Sequence, residues 1–399
     1  MKLLTKHLVP SITVLIFRII QLLSICEYEL NTIYILEGEE IMERCIKKNL
    51  EERNDRIIKA IIKKAEIACP GAIALIGIAG SFNTGDIYEK SDLDLCIVIN
   101  DDSARKISSC FILEDVGFDI YCTPWSGLED MSEYNNPYVT KLLQLDIVYC
   151  SDDKYMERYM SLRAKVINKL NQPYSIEDNN KAEKYVDEAL KEYANIIISS
   201  DYGECRYAAA CMLCNIEYAM YMYNKAYVKR GVKRIPEEIS KMESLPEEFY
   251  DLYWSLIKAE NVEKIKEAST LLIKAVKSFA KEMKDKVTSK KEISAVDLIG
   301  TYEEIYSNWR NKMHHAADNG DIYLALMTAA SCQEFYNYMY SHYDIDKIDL
   351  MSRINVNNLS LYAEAFDNTM EEYKKNYDRL NVEIKRYKDL DEFERKYLG

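Results

Sequence analysis

The chain has 399 residues, of which 48% are hydrophobic and 30% are charged. This length and composition predict a globular protein of two or three domains and exclude a disordered or fibrous chain. The 52 basic and 66 acidic residues give a net charge of -14. Because such a surface repels phosphate backbones and attracts cations, we expect no nucleic-acid partner.

The first forty residues differ from the rest of the chain. Residues 8–26 form an apolar run of nearly the length of a membrane span, but Arg18 and Gln21 interrupt it and no typical cleavage site follows. We interpret residues 1–41 as an extension, either an overcalled start or a membrane-associated segment. An amphipathic helix begins at Met42, and we expect the functional part of the chain to start there.

Eleven cysteines, an odd number at irregular spacing, indicate buried thiols rather than a disulfide framework. Such cysteine use is typical of a reducing compartment, so we predict a cytoplasmic protein without stable membrane association. The oligomeric state does not follow from the sequence.

Between residues 72 and 99 the sequence predicts two strands joined by a polar loop. The apolar run 72–79 ends at Gly80-Ser81, a turn through which a backbone can approach a phosphate. The second strand begins with Asp92-Leu93-Asp94, and its period-two alternation places both carboxylates on one face. Two neighbouring carboxylates repel each other unless a cation lies between them, and Mg²⁺ prefers such oxygen ligands.

Asp119 lies within a later apolar segment, GFDIYC, where an unpartnered carboxylate would be costly to bury. If its strand lies beside the second strand, Asp119 completes a three-carboxylate cluster suited to metal-assisted phosphoryl-type transfer. Taken singly, each feature has a simpler interpretation. Gly80-Ser81 could be a plain turn, Asp92 and Asp94 solvated edge-strand residues, and Asp119 a turn residue.

The order Gly80-Ser81, ten residues, Asp92-Leu93-Asp94 and then Asp119 resembles the signature of the nucleotidyltransferase superfamily that shares a fold with DNA polymerase beta. The resemblance covers roughly residues 50–150. It implies an α+β fold, with a small mixed-sheet nucleotidyltransferase domain followed by mostly helical domains. It also implies that Asp92, Asp94 and Asp119 are catalytic and bind Mg²⁺, and that Gly80 and Ser81 hold the phosphates of the nucleotide.

Similarity to the aminoglycoside and lincosamide nucleotidyltransferases implies transfer of a nucleoside monophosphate, AMP from ATP, to a hydroxyl of a small cationic acceptor. The partners would be a nucleoside triphosphate and the acceptor, and the role would be antibiotic resistance. Two alternatives stay open: an enzyme that modifies a protein or RNA, and a nucleotide-binding regulatory module without turnover.

Beyond residue 160 the periodicity predicts helices almost throughout. We divide the chain into the extension, a catalytic domain over 42–160, a helical domain over 161–288 and a second helical domain over 289–399. A long helix is predicted over 204–230, and the resemblance implies that the basic residues after it could meet the triphosphate; these are Lys229, Arg230, Lys233 and Arg234. The alternative interpretation is that they are basic residues of the kind that a helix C-terminus favours. Glu217 on this helix is one of several candidates for a general base.

Overall fold

The computed structural model describes residues 46–85 and 87–399. The predicted extension over residues 1–41 and the start of the helix at Met42 lie outside these residues. By its internal contacts the chain divides into two compact units, with the boundary between Val287 and Thr288.

The first unit contains a small mixed sheet, as the sequence predicts. Its four strands lie in the order β5-β2-β1-β6; β1 is antiparallel to β2 and to β6, whereas β2 and β5 are parallel. A separate antiparallel hairpin consists of β3 and β4. The strands are β1 (Ile73–Ile78), β2 (Leu95–Ile99), β3 (Ser109–Leu113), β4 (Val116–Ile120), β5 (Cys122–Pro124) and β6 (Asp146–Cys150).

The sheet is covered on both faces, which explains why its central strands are continuous apolar runs. Along β2, Leu95 and Ile97 share a core with Ile61 of the helix over residues 46–68, here called α1. Cys96 and Val98 point the other way, into a larger core that the following helices share. Alternation along one strand thus places its side chains in two cores, one on each face of the sheet.

Helices make up most of the remainder of the first unit. They are α2 (Ser81–Thr84), α3 (Trp125–Ser132), α4 (Thr140–Leu143), α5 (Asp153–Asn171), α6 (Ile176–Ile198), α7 (Tyr202–Tyr223), α8 (Ile235–Ile239), α9 (Phe249–Lys258) and α10 (Val262–Val287). Short 3-10 turns occupy Asp102–Ile107 and Val232–Arg234.

The helix predicted over 204–230 is shorter than expected. It ends at Tyr223, after which Lys225 adopts a positive φ of 47°. Residues 224–231 form an irregular segment that is tied to the sheet-bearing part of the unit. The Tyr134 hydroxyl donates to Ala226 O (2.6 Å), and the Thr140 hydroxyl donates to Val228 O (2.6 Å).

The second unit is helical and has a core of its own, in which aliphatic side chains pack with several aromatic rings. Tyr302, Phe366, Tyr373 and Tyr377 are all buried there. Its helices are α11 (Ala295–Leu298), α12 (Thr301–Ile305), α13 (Asn311–Asn319), α14 (Ile322–His342), α15 (Leu359–Leu380) and α16 (Leu390–Leu398), with a π-helical turn over Tyr306–Arg310. In the part of the chain that the structure describes, no helix combines the length and hydropathy that a bilayer span requires.

Candidate active site

The turn at Gly80-Ser81 and the aspartate pair meet directly. The Ala79 amide donates to Asp94 O (2.9 Å), which joins the end of β1 to the segment that enters β2. Gly80 has a φ of 71°, and a Cβ atom there would overlap the carboxylate of Asp94. Glycine is therefore required at this position by both backbone conformation and space.

Asp92 and Asp94 lie immediately before β2 rather than within it, and both are solvent-exposed whereas Leu93 is buried. Two contacts hold this segment in place. The Arg53 guanidinium on α1 donates to Ser91 O (2.6 Å), and the Ser91 hydroxyl accepts from the Tyr88 amide (2.9 Å). The pair thus projects from an anchored backbone, as the predicted period-two alternation requires.

The electrostatics of the pair are unfavourable in the absence of a cation. Although Asp94 as a residue is exposed, its carboxylate packs against Gly80, and this partial burial raises its pKa. The charge of Asp92 raises the pKa of Asp94 further, and Lys141 opposes this effect. The Lys141 ammonium is itself held by the Tyr121 hydroxyl (2.6 Å) and lies 4.4 Å from the centre of that ring.

Asp119 does not lie on a strand beside β2, as the predicted three-carboxylate cluster requires. Its strand, β4, pairs with β3 and not with β2, whose neighbours are β1 and β5. The side chain is exposed rather than buried, and its carboxylate accepts a hydrogen bond from the Cys110 thiol (3.2 Å). The sequence could not distinguish these pairings because no local feature of a strand specifies which distant strand it pairs with.

The predicted residues nevertheless line one cleft of about 800 Å³. Its lining includes Gly80, Ser81, Asp92, Asp94 and Asp119. The same lining includes four basic residues, Lys141, Lys229, Arg230 and Lys233. The cleft therefore combines carboxylates that could hold a cation with basic side chains that could hold phosphate.

The three aspartates share this cleft without forming a compact three-carboxylate cluster. Over residues 46–85 and 87–399, no three histidine, cysteine, aspartate or glutamate side chains come close enough to hold one metal ion. The adjacent pair Asp92 and Asp94 still suits Mg²⁺, which often takes one or two protein carboxylates and fills its remaining positions with substrate phosphates and water. A role for Asp119 in metal binding stays a prediction.

Two features expected from the sequence do not contribute in the expected way. Helix α2 has only four residues, too few for its N-terminus to serve as an anion site, so a phosphate near Ser81 would be held by the close approach that Gly80 allows and by the basic side chains of the cleft. Glu217 lines none of the described cavities. Its carboxylate accepts from the Tyr253 hydroxyl (2.5 Å), and burial raises its pKa.

Sequence reasoning missed Lys141, Tyr88, Tyr121 and Tyr138, which also line the cleft. Tyr88, Tyr138 and Lys141 stand in polar loops or a short helix without a neighbouring motif to mark them, and Tyr121 lies between β4 and β5, in the apolar segment GFDIYC. The basic residues after α7 were recognisable as a cluster, and Lys229, Arg230 and Lys233 do reach the cleft.

Replacing the Asp94 carboxylate by an uncharged amide should stabilise the fold slightly. Because the pKa of Asp94 is raised in the folded state, its ionisation opposes folding at neutral pH, and this cost disappears as the pH falls and the carboxyl is protonated in both states. Asp94→Asn should raise the melting temperature near neutral pH by on the order of 1 °C, since solvent screens the repulsion. The difference should shrink as the buffer is made acidic.

Asp115→Asn provides the control for this measurement, because Asp115 is exposed in the β3–β4 turn and does not line the cleft. It should leave the melting temperature unchanged. A lower melting temperature for Asp94→Asn at neutral pH would show that Asp94 stabilises the fold rather than straining it.

No protein-family model matches the chain, and no curated protein sequence does. Among solved structures, the chain is similar to the crystal structure of a nucleotidyltransferase-like protein from Exiguobacterium sibiricum 255-15. The two are 12% identical, the match covers 73% of this chain and 91% of that chain, and the TM-score is 0.36. Similarity of this size does not assign the chain to a family.

Proposed function

We propose that this chain is a nucleotidyltransferase that transfers AMP from ATP to a hydroxyl of a small acceptor. The observation that carries the proposal is the single cleft that is lined both by Gly80-Ser81, Asp92 and Asp94 and by Lys229, Arg230 and Lys233. A nucleotidyl transfer needs a cation-binding group beside the α-phosphate and positive charge along the rest of the triphosphate, and these two sets of residues offer them.

Asp92 and Asp94 would hold Mg²⁺, which supplies charge neutralisation at the phosphates and activation of the attacking hydroxyl. The protein itself contributes position and charge. Gly80 lets the backbone approach the nucleotide, and Ser81 offers a hydroxyl. The segment 229–233 brings its cations to the same cleft, and Glu238 anchors its backbone by accepting from the amides of Lys229 (3.0 Å) and Arg230 (2.8 Å).

Asp119 would serve the acceptor. It is exposed on the same cleft, and its carboxylate could orient the acceptor hydroxyl or take up its proton. A small cationic acceptor of the aminoglycoside type is consistent with the aspartates that line the cleft and with the net charge of -14. The corresponding role would be antibiotic resistance in the cytoplasm.

The proposal is tested by incubating the full chain with ATP, Mg²⁺ and a panel of hydroxyl-bearing acceptors and by measuring pyrophosphate. We expect release that depends on both the acceptor and Mg²⁺ and that a chelator stops, together with an acceptor heavier by one AMP. ATP binding without pyrophosphate release across the panel would contradict transfer and favour a nucleotide-binding regulatory module.

A further inference from the structure

A second cavity, of about 780 Å³, adjoins the candidate active site. Lys229 and Arg230 line both cavities. Helix α2 also connects them, because Ser81 lines the cleft whereas Asn83, two residues later, lines the second cavity. A ligand whose phosphates lie at Gly80-Ser81 could therefore extend along this single turn into the neighbouring space.

The wall of this cavity is rich in aromatic rings. Tyr174 and Tyr227 are half-buried there, and the Tyr227 hydroxyl accepts a hydrogen bond from the Gln144 amide (3.1 Å). Residues with side-chain amides share this wall, because Asn83, Gln144 and Asn224 also line the cavity. Flat rings beside amide groups suit a planar, hydrogen-bonding ligand.

The formal charges of the wall are largely balanced by ion pairs. Lys225 pairs with Asp178 (3.1 Å), and both side chains are nearly buried. Glu237 pairs with Arg230 (2.7 Å) and with Lys241 (3.0 Å). Three of the four cations that line the cavity, Lys225, Arg230 and Lys241, thus have carboxylate partners, and this pairing favours an uncharged polar ligand over a polyanion.

The chemistry of the proposed reaction leaves such a ligand to be placed. The attacking hydroxyl and the departing pyrophosphate lie on opposite sides of the α-phosphorus, so the nucleoside must leave the reaction axis sideways. The cleft with its aspartates and basic side chains accommodates the reaction axis. The second cavity opens beside this cleft at Lys229 and Arg230.

We propose that this second cavity is the nucleoside subsite, in which the base lies against Tyr174 and Tyr227 while the phosphates occupy the cleft. The inference rests on the proposed function. It separates the two parts of ATP physically, with uncharged base and ribose in the tyrosine-lined cavity and charged triphosphate between the aspartates and the basic segment.

Calorimetric titration of the full chain with ATP and, separately, with inorganic tripolyphosphate, both with Mg²⁺, tests the inference. Tyr227→Leu and Tyr174→Leu should each weaken ATP binding by about tenfold, the usual cost of a lost base–aromatic contact. Tripolyphosphate binding should change less than about twofold, because that probe lacks the nucleoside. Tyr207→Leu is the matched control, since Tyr207 is exposed on α7 and lines neither cavity.

Two variants are used because loss of the Gln144–Tyr227 hydrogen bond could disturb the local fold, whereas Tyr174 contacts a different residue, Asn179 (3.1 Å). Unchanged ATP affinity in both variants would overturn the inference, and so would an equal loss for ATP and tripolyphosphate. If the wild-type chain binds neither probe, the proposed function itself fails. If the wild-type chain binds both probes and neither tyrosine variant changes the ATP affinity, only the nucleoside subsite is rejected.

Discussion

Replacing both Asp92 and Asp94 with asparagine should reduce pyrophosphate release by at least about a hundredfold, because loss of metal ligands costs no less than loss of the residues that orient them. The double variant keeps the shape of both side chains and removes the two charges that suit Mg²⁺. It should stay folded, since both side chains are exposed and the backbone contacts at Ser91 and Ala79 do not involve them. Initial rates and circular dichroism measure the two effects.

A matched double variant, Glu114→Gln with Asp115→Asn, controls for the change of two charges. Both residues are exposed in the turn between β3 and β4, and neither lines the cleft. This variant should retain wild-type rates. Equal rates for Asp92→Asn/Asp94→Asn and the control would remove the aspartate pair from the chemistry.

Substitution of Gly80 by alanine adds a single methyl group and should reduce both the stability of the fold and the transfer activity. The added Cβ atom would overlap the Asp94 carboxylate, and the φ of 71° is a conformation that residues with a side chain rarely adopt. We expect about 1–2 kcal/mol of destabilisation from the backbone and, in addition, loss of most transfer activity as Asp94 is displaced. Chemical denaturation and pyrophosphate release measure these effects separately.

Gly71→Ala separates backbone strain from displacement of Asp94. Gly71 has nearly the same φ, 74°, yet a Cβ atom there would meet no neighbour within 4 Å, and the residue does not line the cleft. It should lose similar stability and keep its activity. Full activity in Gly80→Ala would mean that the position of Asp94 does not matter for transfer.

The sequence predicts the local elements of the first unit well. The apolar run over 72–79 corresponds to β1 (Ile73–Ile78), because Pro70-Gly71 and Gly80 bound it on both sides. The strand expected to start at Asp92 starts at Leu95, since the two aspartates remain in solvent while the apolar residues enter the sheet. The small mixed sheet with helices around it, and hence the α+β class, is confirmed.

Pairings between distant segments were harder to predict. Nothing in the sequence around Asp119 indicates that β4 pairs with β3 while the short β5 adds to β2. The apolar periodicity continues beyond Tyr223, so the end of α7 and the irregular segment after it were not predicted. This segment carries basic residues to the cleft. The second cavity has no local signal at all, because its wall joins Asn83, Gln144 and Tyr227 from separate parts of the chain.

The most direct measurement is the anomalous signal of Mn²⁺ in crystals grown with a non-hydrolysable ATP analogue. We predict a manganese peak within about 2.5 Å of carboxylate oxygens of both Asp92 and Asp94, with the triphosphate between Gly80-Ser81 and the basic segment 229–233. A nucleotide bound elsewhere, or a cleft that holds the triphosphate while the aspartate pair contacts no metal, would contradict the account.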